Sequence, residues 1–482
     1  MQLIIPQVWD EDGTQIIPGF ITHGWASLFT PVNGYLIMVP KLISAISLTI
    51  SFSHYPIIST IIVWLFIASI GLAIVLSPTS LKGKLSCAIL MLSIPSDPEV
   101  FGLPLYTFWW SSILLFLVSL WNEKNQTLGW RLAFLLIGGL SSPMIVLILP
   151  ILYLRVYWYR SLRSEWVVAL GGTIIAFVQT LFIVTGSAGQ FPLLGSVLKN
   201  VIPVFFGNFL IGNWFNASFA LWLTGILLIG FIIAWFLRNQ RNLKVLILLY
   251  LLLGSIVMTI ARVDPAIIHP KLAGPRYFFF PFILLFWVLI QGYYASRLKI
   301  GRIFISIIVV IAVINAIPVW SRQHDDLRWA DHVRSCRLFP SYTIPIQTDG
   351  NRSSAWPLEL SGKNCTDLLK HNFLASINKN TKNSTYPYVV KHTEYGKKPA
   401  TQITNNTTKV IDSRADTGEI TLKLQRGDSI LYHSEPSKVE QSVAIIGHES
   451  EFITELPSSR DWVALEFSNN KLPDKFVVKV KN

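Results

Sequence analysis

Apolar runs crowd the first 320 residues and then stop. They fall near 56–77, 85–94, 105–121, 132–141, 143–157, 166–186, 218–237, 245–261, 277–296 and 303–320. Most approach the ~20 residues that a helix needs to cross a hydrocarbon layer. Two are short, and the Ser141-Ser142-Pro143 break between neighbouring runs suits broken or tilted helices. Residues 201–215, with Pro203, Gly207 and Gly212, read as re-entrant or interfacial, and 36–53 as a surface helix broken by Pro40. After Trp320 the pattern changes to short alternating runs: Glu419–Leu424, Ser429–His433, Val443–Ile446, Trp462–Phe467 and Phe476–Val480. Runs of that kind, separated by Gly, Pro and Asn, predict strands. Residues 375–410 are Asn-, Thr- and Lys-rich and read as a loop or a flexible insert. The predicted fold is an α-helical polytopic membrane protein of about ten spans over 1–320, with an acidic first outer loop (1–35) and a small β-rich domain at 321–482.

Composition agrees with that pattern. The chain has 482 residues, 52% hydrophobic and 14% charged, with a mean hydropathy of +0.49. These values exclude a soluble enzyme with one large core. The net charge of +13 invites a nucleic-acid reading, but its placement argues against one. Residues 1–320 carry 18 Lys/Arg against 8 Asp/Glu, in short clusters between apolar runs, whereas 321–482 carry 22 against 19. The positive-inside rule then fixes an orientation. Lys82/Lys84, Lys124/Arg131, Arg155/Arg160/Arg163, Arg238/Arg241/Lys244 and Arg297/Lys299/Arg302 fall inside. Lys41, Lys199, Arg262, Lys271 and Arg276 fall outside, with the acidic loop and the whole of 321–482. The expected location is the inner (plasma) membrane, multi-pass, with the acidic loop and the C-terminal domain extracytoplasmic.

Cysteines add little. Cys87 lies in an apolar run and reads as inert packing, while Cys336 and Cys365 could pair in an extracytoplasmic domain. Spacing alone leaves that pairing open. Met1–Val8 shows no secretory signal.

Acidic residues are scarce enough before Trp320 to be named: Asp10, Glu11, Asp12, Asp97, Glu99, Glu123, Glu165 and Asp264. A carboxylate near lipid is costly and is kept where it meets a partner, an ion or a substrate. The Asp10-Glu11-Asp12 triplet can serve as general base for a sugar-acceptor hydroxyl or hold a divalent cation. It can equally be a solvated loop with a turn at Asp12-Gly13. Asp97-Pro98-Glu99 lies in a second outer loop, while Glu123 and Glu165 read as ordinary loop charges. A third outer loop holds His269-Pro270-Lys271 and Gly274-Pro275-Arg276-Tyr277. Its Arg276 offers a planar donor fork to a phosphate, or else snorkels as an interfacial anchor beside Tyr277.

Several of these motifs resemble one family. Trp9-Asp10-Glu11-Asp12-Gly13, Ser27-Leu28-Phe29, Gly34-Tyr35-Leu36 and Val39-Pro40-Lys41-Leu42 look like the opening of bacterial GT-C-type membrane glycosyltransferases. Pro98-Glu99, Ser142-Pro143 and Gly274-Pro275-Arg276-Tyr277 fit the same pattern, over roughly residues 5–320. The resemblance implies a GT-C-like polytopic fold and transfer of a sugar from a polyprenyl-phosphate donor to an extracytoplasmic glycan, lipid or protein acceptor. It implies Glu11 or Asp12 as catalytic base, with Asp10 the third member of the set. Arg276, helped by Lys271, His269 and Tyr277, would bind the donor phosphate, and Asp97 and Glu99 would be a second acidic position or metal ligands. The implied partners are membrane lipid, the lipid-linked sugar and the acceptor, with no nucleic acid. A divalent cation is the one cofactor to consider. The family carries a transmembrane helix ahead of its acidic loop, so a chain with Met1 nine residues before Asp10 is expected to lack it, through a misassigned start or truncation. The competing readings are a non-catalytic GT-C-like transporter or scaffold, and a surface-polysaccharide polymerase.

Overall fold

The computed structural model describes residues 5–124, 127–185, 200–215, 217–239, 242–263, 267–271, 274–321, 327, 329–336, 341–344, 346 and 358–370. It further describes the backbone of strands within 389–481. Contacts divide the chain into two units, one of Leu28–Leu42 with Ile62–Gln323, the other of Gln2–Ser27, Ile43–Ile61 and His324–Asn482.

The protein is a helical membrane protein. Among the described residues, six helices are long and apolar enough to cross a bilayer: Tyr55–Leu76, Arg163–Thr185, Ser218–Asn239, Leu243–Arg262, Pro275–Ala295 and Lys299–Val319. Leu, Ile, Val and Phe fill them, so no solvated stripe breaks their surface. Pro275–Ala295 is the centre of the first unit, with 78% of its most apolar window buried, against 22% for Ser218–Asn239. The exposed flanks of Ser218–Asn239, such as Phe219, Leu223 and Ile226, are what a lipid-facing helix presents.

Four shorter apolar helices of 10–17 residues also occur among the described residues: Met38–Ile50, Thr107–Ser119, Leu128–Ser141 and Met144–Trp158. At 1.5 Å per residue the last two are about 21–22 Å long, below the ~30 Å hydrocarbon thickness. Ser142 is extended (φ −151°) and Pro143 opens the next helix, so the chain reverses at the Ser141-Ser142-Pro143 break. Arg131 near the start of one helix and Arg155 in the last turn of the next both reach Glu165. The two helices therefore run antiparallel and return to one level. Gly138 makes the tight crossing with Thr107–Ser119 possible, since a Cβ there would sit 2.8 Å from Leu115 and from the Ser111 carbonyl. Gln179 stitches the other end, its amide donating to Leu36 O and Gly139 O while its oxygen accepts from Leu36 N–H.

Pro40 does not break a helix. It occupies the first turn of an uninterrupted Met38–Ile50, where a missing N–H costs nothing because that turn has no internal acceptor to serve. Residues 202–207 form a π-helical turn that runs into the short helix Asn208–Leu210.

In the second unit the acidic segment is helical rather than an open loop. Asp12–Ile16 forms a π-helical turn continued by helix Ile17–His23. Gly13 packs where a Cβ would collide with Ile346, at 1.9 Å. Trp329 locks onto the second stretch of this unit, its indole N–H donating to Phe52 O at 2.8 Å with its ring against Phe52 and Tyr55. Cys336 and Cys365, left open by the sequence, are joined as a disulfide.

Ten strands are found among the described residues: β1 Ser341–Ile344, β2 Leu358–Ser361, β3 Val389–His392, β4 Thr408–Asp412, β5 Glu419–Gln425, β6 Ser429–His433, β7 Ser442–Ile446, β8 Glu451–Glu455, β9 Trp462–Glu466 and β10 Lys475–Lys481. They form a β1–β2 pair, a sheet of order β5-β10-β7-β8 and a sheet of order β3-β9-β6-β4. All pairs are antiparallel except β4 with β6. The stretch expected as a loop or insert, 375–410, holds β3 and the start of β4; its remaining residues lie outside those described.

Candidate functional site

Two loops of the first unit meet at the start of its central helix. Residues Pro98–Val100 make a short 3-10 turn, as do Pro275–Phe278, each opened by the proline that presets φ. Backbone bonds tie the loops together: Asp97 N–H donates to Pro270 O at 2.7 Å, and Ser96 Oγ–H to Pro275 O at 3.0 Å. Gly274 has φ +60°, a left-handed conformation that glycine adopts without strain, and a Cβ there would stand 2.9 Å from the Tyr277 ring. That turn aims Arg276 at the first loop.

Arg276 and Glu99 form an ion pair, Nη1 to Oε1 at 2.5 Å. The Tyr106 hydroxyl donates to the same Glu99 oxygen, and Arg276 Nη1 also reaches the Tyr106 hydroxyl at 3.2 Å. Glu99 is fully buried, whereas 28% of the Arg276 side chain is exposed. Only one edge of the guanidinium is used, because its Nε and Nη2 make no hydrogen bond among the described residues. Oε2 of Glu99 likewise has no hydrogen-bond partner there. Tyr277 lies beside the cation, with Arg276 Cζ 5.4 Å from its ring centroid. The result is a positively charged fork anchored on one side and free on the other, a geometry suited to a phosphate oxygen pair.

The loop leading to it carries His269 and Lys271. His269 Nδ1 accepts the Lys271 backbone N–H at 3.1 Å, and its Nε2 is buried without a hydrogen-bond partner among the described residues. Burial, then the Lys271 charge, hold the His269 imidazole below its ordinary pKa. Lys271 itself is exposed.

The acid triplet belongs to the second unit. Asp12 is fully buried at the head of the π-turn, while Asp10 and Glu11 are half-buried. A π-turn at this point is itself informative, since single π-turns in helices concentrate at functional sites. Nothing in the sequence pattern announced it. Asp264 lies outside the described residues.

A dedicated metal site draws its ligands from several residues brought to one point. Among the described residues, no group of three or more His, Cys, Asp or Glu could hold a metal ion. Glu99, expected with Asp97 as a second acidic position or as a metal ligand, is paired with Arg276.

Sequence reasoning missed two features. Tyr106 joins Glu99 to Arg276, yet nothing set it apart from other aromatics in an apolar run. Glu165 is not an ordinary loop charge. It is 2% exposed and receives four hydrogen bonds of 2.7–3.0 Å, two from Arg131 and two from Arg155. The same arginines donate to Val118 O and Ser119 O. A spacing that places one acid between clusters of Arg was the only available signal. Compared with family models, curated proteins and solved structures, the chain matches none of them.

Proposed function

We propose that this protein is a membrane glycosyltransferase that moves a sugar from a polyprenyl-phosphate donor to an extracytoplasmic glycan, lipid or protein acceptor. The observation that carries this reading is the half-used Arg276 fork. A leaving phosphate gains negative charge as the glycosidic bond to it breaks, and a guanidinium held beforehand stabilises that charge without reorganisation. Lys271 adds a second cation on the same loop. The acceptor hydroxyl loses its proton to a general base as its oxygen bonds to the anomeric carbon, the role that the family resemblance gives to Glu11 or Asp12. The anomeric carbon–oxygen bond to phosphate breaks, and the polyprenyl phosphate leaves with the electron pair. Glu11, half-buried, is better able to meet an acceptor than Asp12, whose burial suits a role in holding the turn.

The same reading takes the short helices as crossing in pairs, giving about ten spans, with the C-terminal unit outside. Return of Leu128–Ser141 and Met144–Trp158 to one level supports the pairing. The Cys336–Cys365 bond supports an oxidising compartment for the unit that holds it.

The test is sugar transfer in membranes supplied with a radiolabelled polyprenyl-phosphate sugar. Glu11→Gln, Asp12→Asn and their double variant are compared at matched protein levels. The expected result is loss of transfer by at least about a hundredfold in Glu11→Gln, the scale of a general base. Wild-type transfer in both single variants and in the double would overturn the proposal.

A further inference from the structure

We infer that the first unit holds a second anion site, distinct from the Arg276 loop, that takes a phosphate-bearing head group. It is a cavity of about 870 Å³ whose wall includes Lys124, Arg155, Arg238 and Lys244. That volume falls in the ordinary range for small-molecule sites. Glu123 is the acid among the lining residues, and it lies beside the Tyr159 hydroxyl. Arg155 is committed to Glu165, which leaves Lys124, Arg238 and Lys244 facing one carboxylate. Three cations around one concavity repel each other and focus a positive potential into it, and a bound anion relieves that repulsion.

Position in the fold separates this cavity from the first site. Lys244 Nζ donates to Gln291 Oε1 at 3.1 Å, near the end of the central helix that Arg276 begins. Fifteen residues of helix put the two about 22 Å apart. The basic residues also sit where helices end: Arg155 and Arg238 in last turns, Lys244 in a first turn. Helix ends mark the boundary between hydrocarbon and water, where basic pockets between spans receive lipid head groups. Trp158 and Tyr159 line the wall, as aromatic residues do at that depth. Trp121, 3% exposed and also in the lining, keeps a buried indole N–H with no hydrogen-bond partner among the described residues.

The shared chemistry is a phosphate, from a phospholipid or from a soluble ester, and one experiment separates these sources. Full-length protein in neutral detergent is titrated with phosphatidylglycerol micelles, phosphatidylcholine micelles and inorganic phosphate, with thermal unfolding as readout. Lys124→Gln/Arg238→Gln changes two exposed side chains with little risk to folding. Arg297→Gln/Lys299→Gln, also exposed and outside the lining, is the control. Removing each cation is expected to weaken binding roughly fivefold, so the pocket double variant loses about twenty- to thirtyfold while the control keeps wild-type affinity. Selective binding of phosphatidylglycerol identifies a lipid head group, and equal loss with inorganic phosphate alone identifies a soluble ester. The inference fails if the wild-type protein prefers neither anion to phosphatidylcholine. It fails equally if the pocket double variant binds as the wild type does, or if the control loses as much.

Discussion

Two buried carboxylates in the first unit meet arginine, and they do so differently. Glu165 is enclosed by Arg131 and Arg155, all three are at most 3% exposed, and both its oxygens are bonded. Glu99 meets one arginine through one oxygen, and that arginine stays 28% exposed. The first cluster is closed and the second is open. A closed charge network holds helix ends in register but has no donor left for a ligand. An open one keeps a donor edge and an acceptor oxygen unused, which is the condition for recognising something from outside. Burial and pairing alone therefore do not mark a site; incomplete pairing does.

The largest effect should come from breaking the closed cluster. Glu165→Ala leaves two buried guanidinium groups facing each other, and a loss of about 3–5 kcal/mol is expected. Thermal unfolding in detergent measures it. Replacing all three residues with apolar side chains of similar volume should recover most of the loss, since a filled apolar interior is often as stable as a buried ion cluster. If the triple variant stays as unstable as Glu165→Ala, the cluster does more than hold helix ends.

Arg276→Lys tests the open cluster by keeping the charge near Glu99 while removing the planar fork. Unfolding temperature should hold, and sugar transfer should fall about ten- to a hundredfold, because one ammonium cannot span two oxygens as the fork does. A change of stability without a change of transfer would make Arg276 a second structural cation like Arg155.

Next in size is Gly274→Ala. A Cβ at φ +60° is strained by about 1–2 kcal/mol and also meets the Tyr277 ring. Transfer should drop more than stability, since the turn aims Arg276. The smallest effect is pH-dependent. The folded-state pKa of His269 lies below its unfolded value, so the opened loop binds the proton more readily. Stability of the closed loop is complete above the unfolded value of about 6.5 and is lost as pH falls from there through the folded pKa. Protection of the Lys271 amide, which donates to His269 Nδ1, should fall between about pH 7 and pH 5 in the wild type once the intrinsic slowing of exchange with acid is divided out. His269→Gln should flatten that slope.

The two carboxylates also show how far sequence reading reaches. Scarcity of acid singled out Glu99, and the motif Gly274-Pro275-Arg276-Tyr277 singled out its partner, each from local features of the chain. Their contact joins positions 177 apart in the chain and was not readable. Glu165 stood among short-loop charges, where a solvated acid and a buried one look alike. The acid triplet shows the same limit, because nothing local distinguishes a solvated Asp12-Gly13 turn from a π-turn packed on Ile346.

Length and apolarity of segments by themselves determined that this is a helical membrane protein, because a helix satisfies its backbone internally and needs only enough Leu, Ile, Val and Phe to lie in lipid. The breaks at Ser142-Pro143 and Gly274-Pro275 were equally local, since φ preferences act over one or two residues. What tertiary structure alone decided is which charges are closed off and which stay open. Pairing energy depends on distance and on how much water remains, and both are set by residues far apart in the chain.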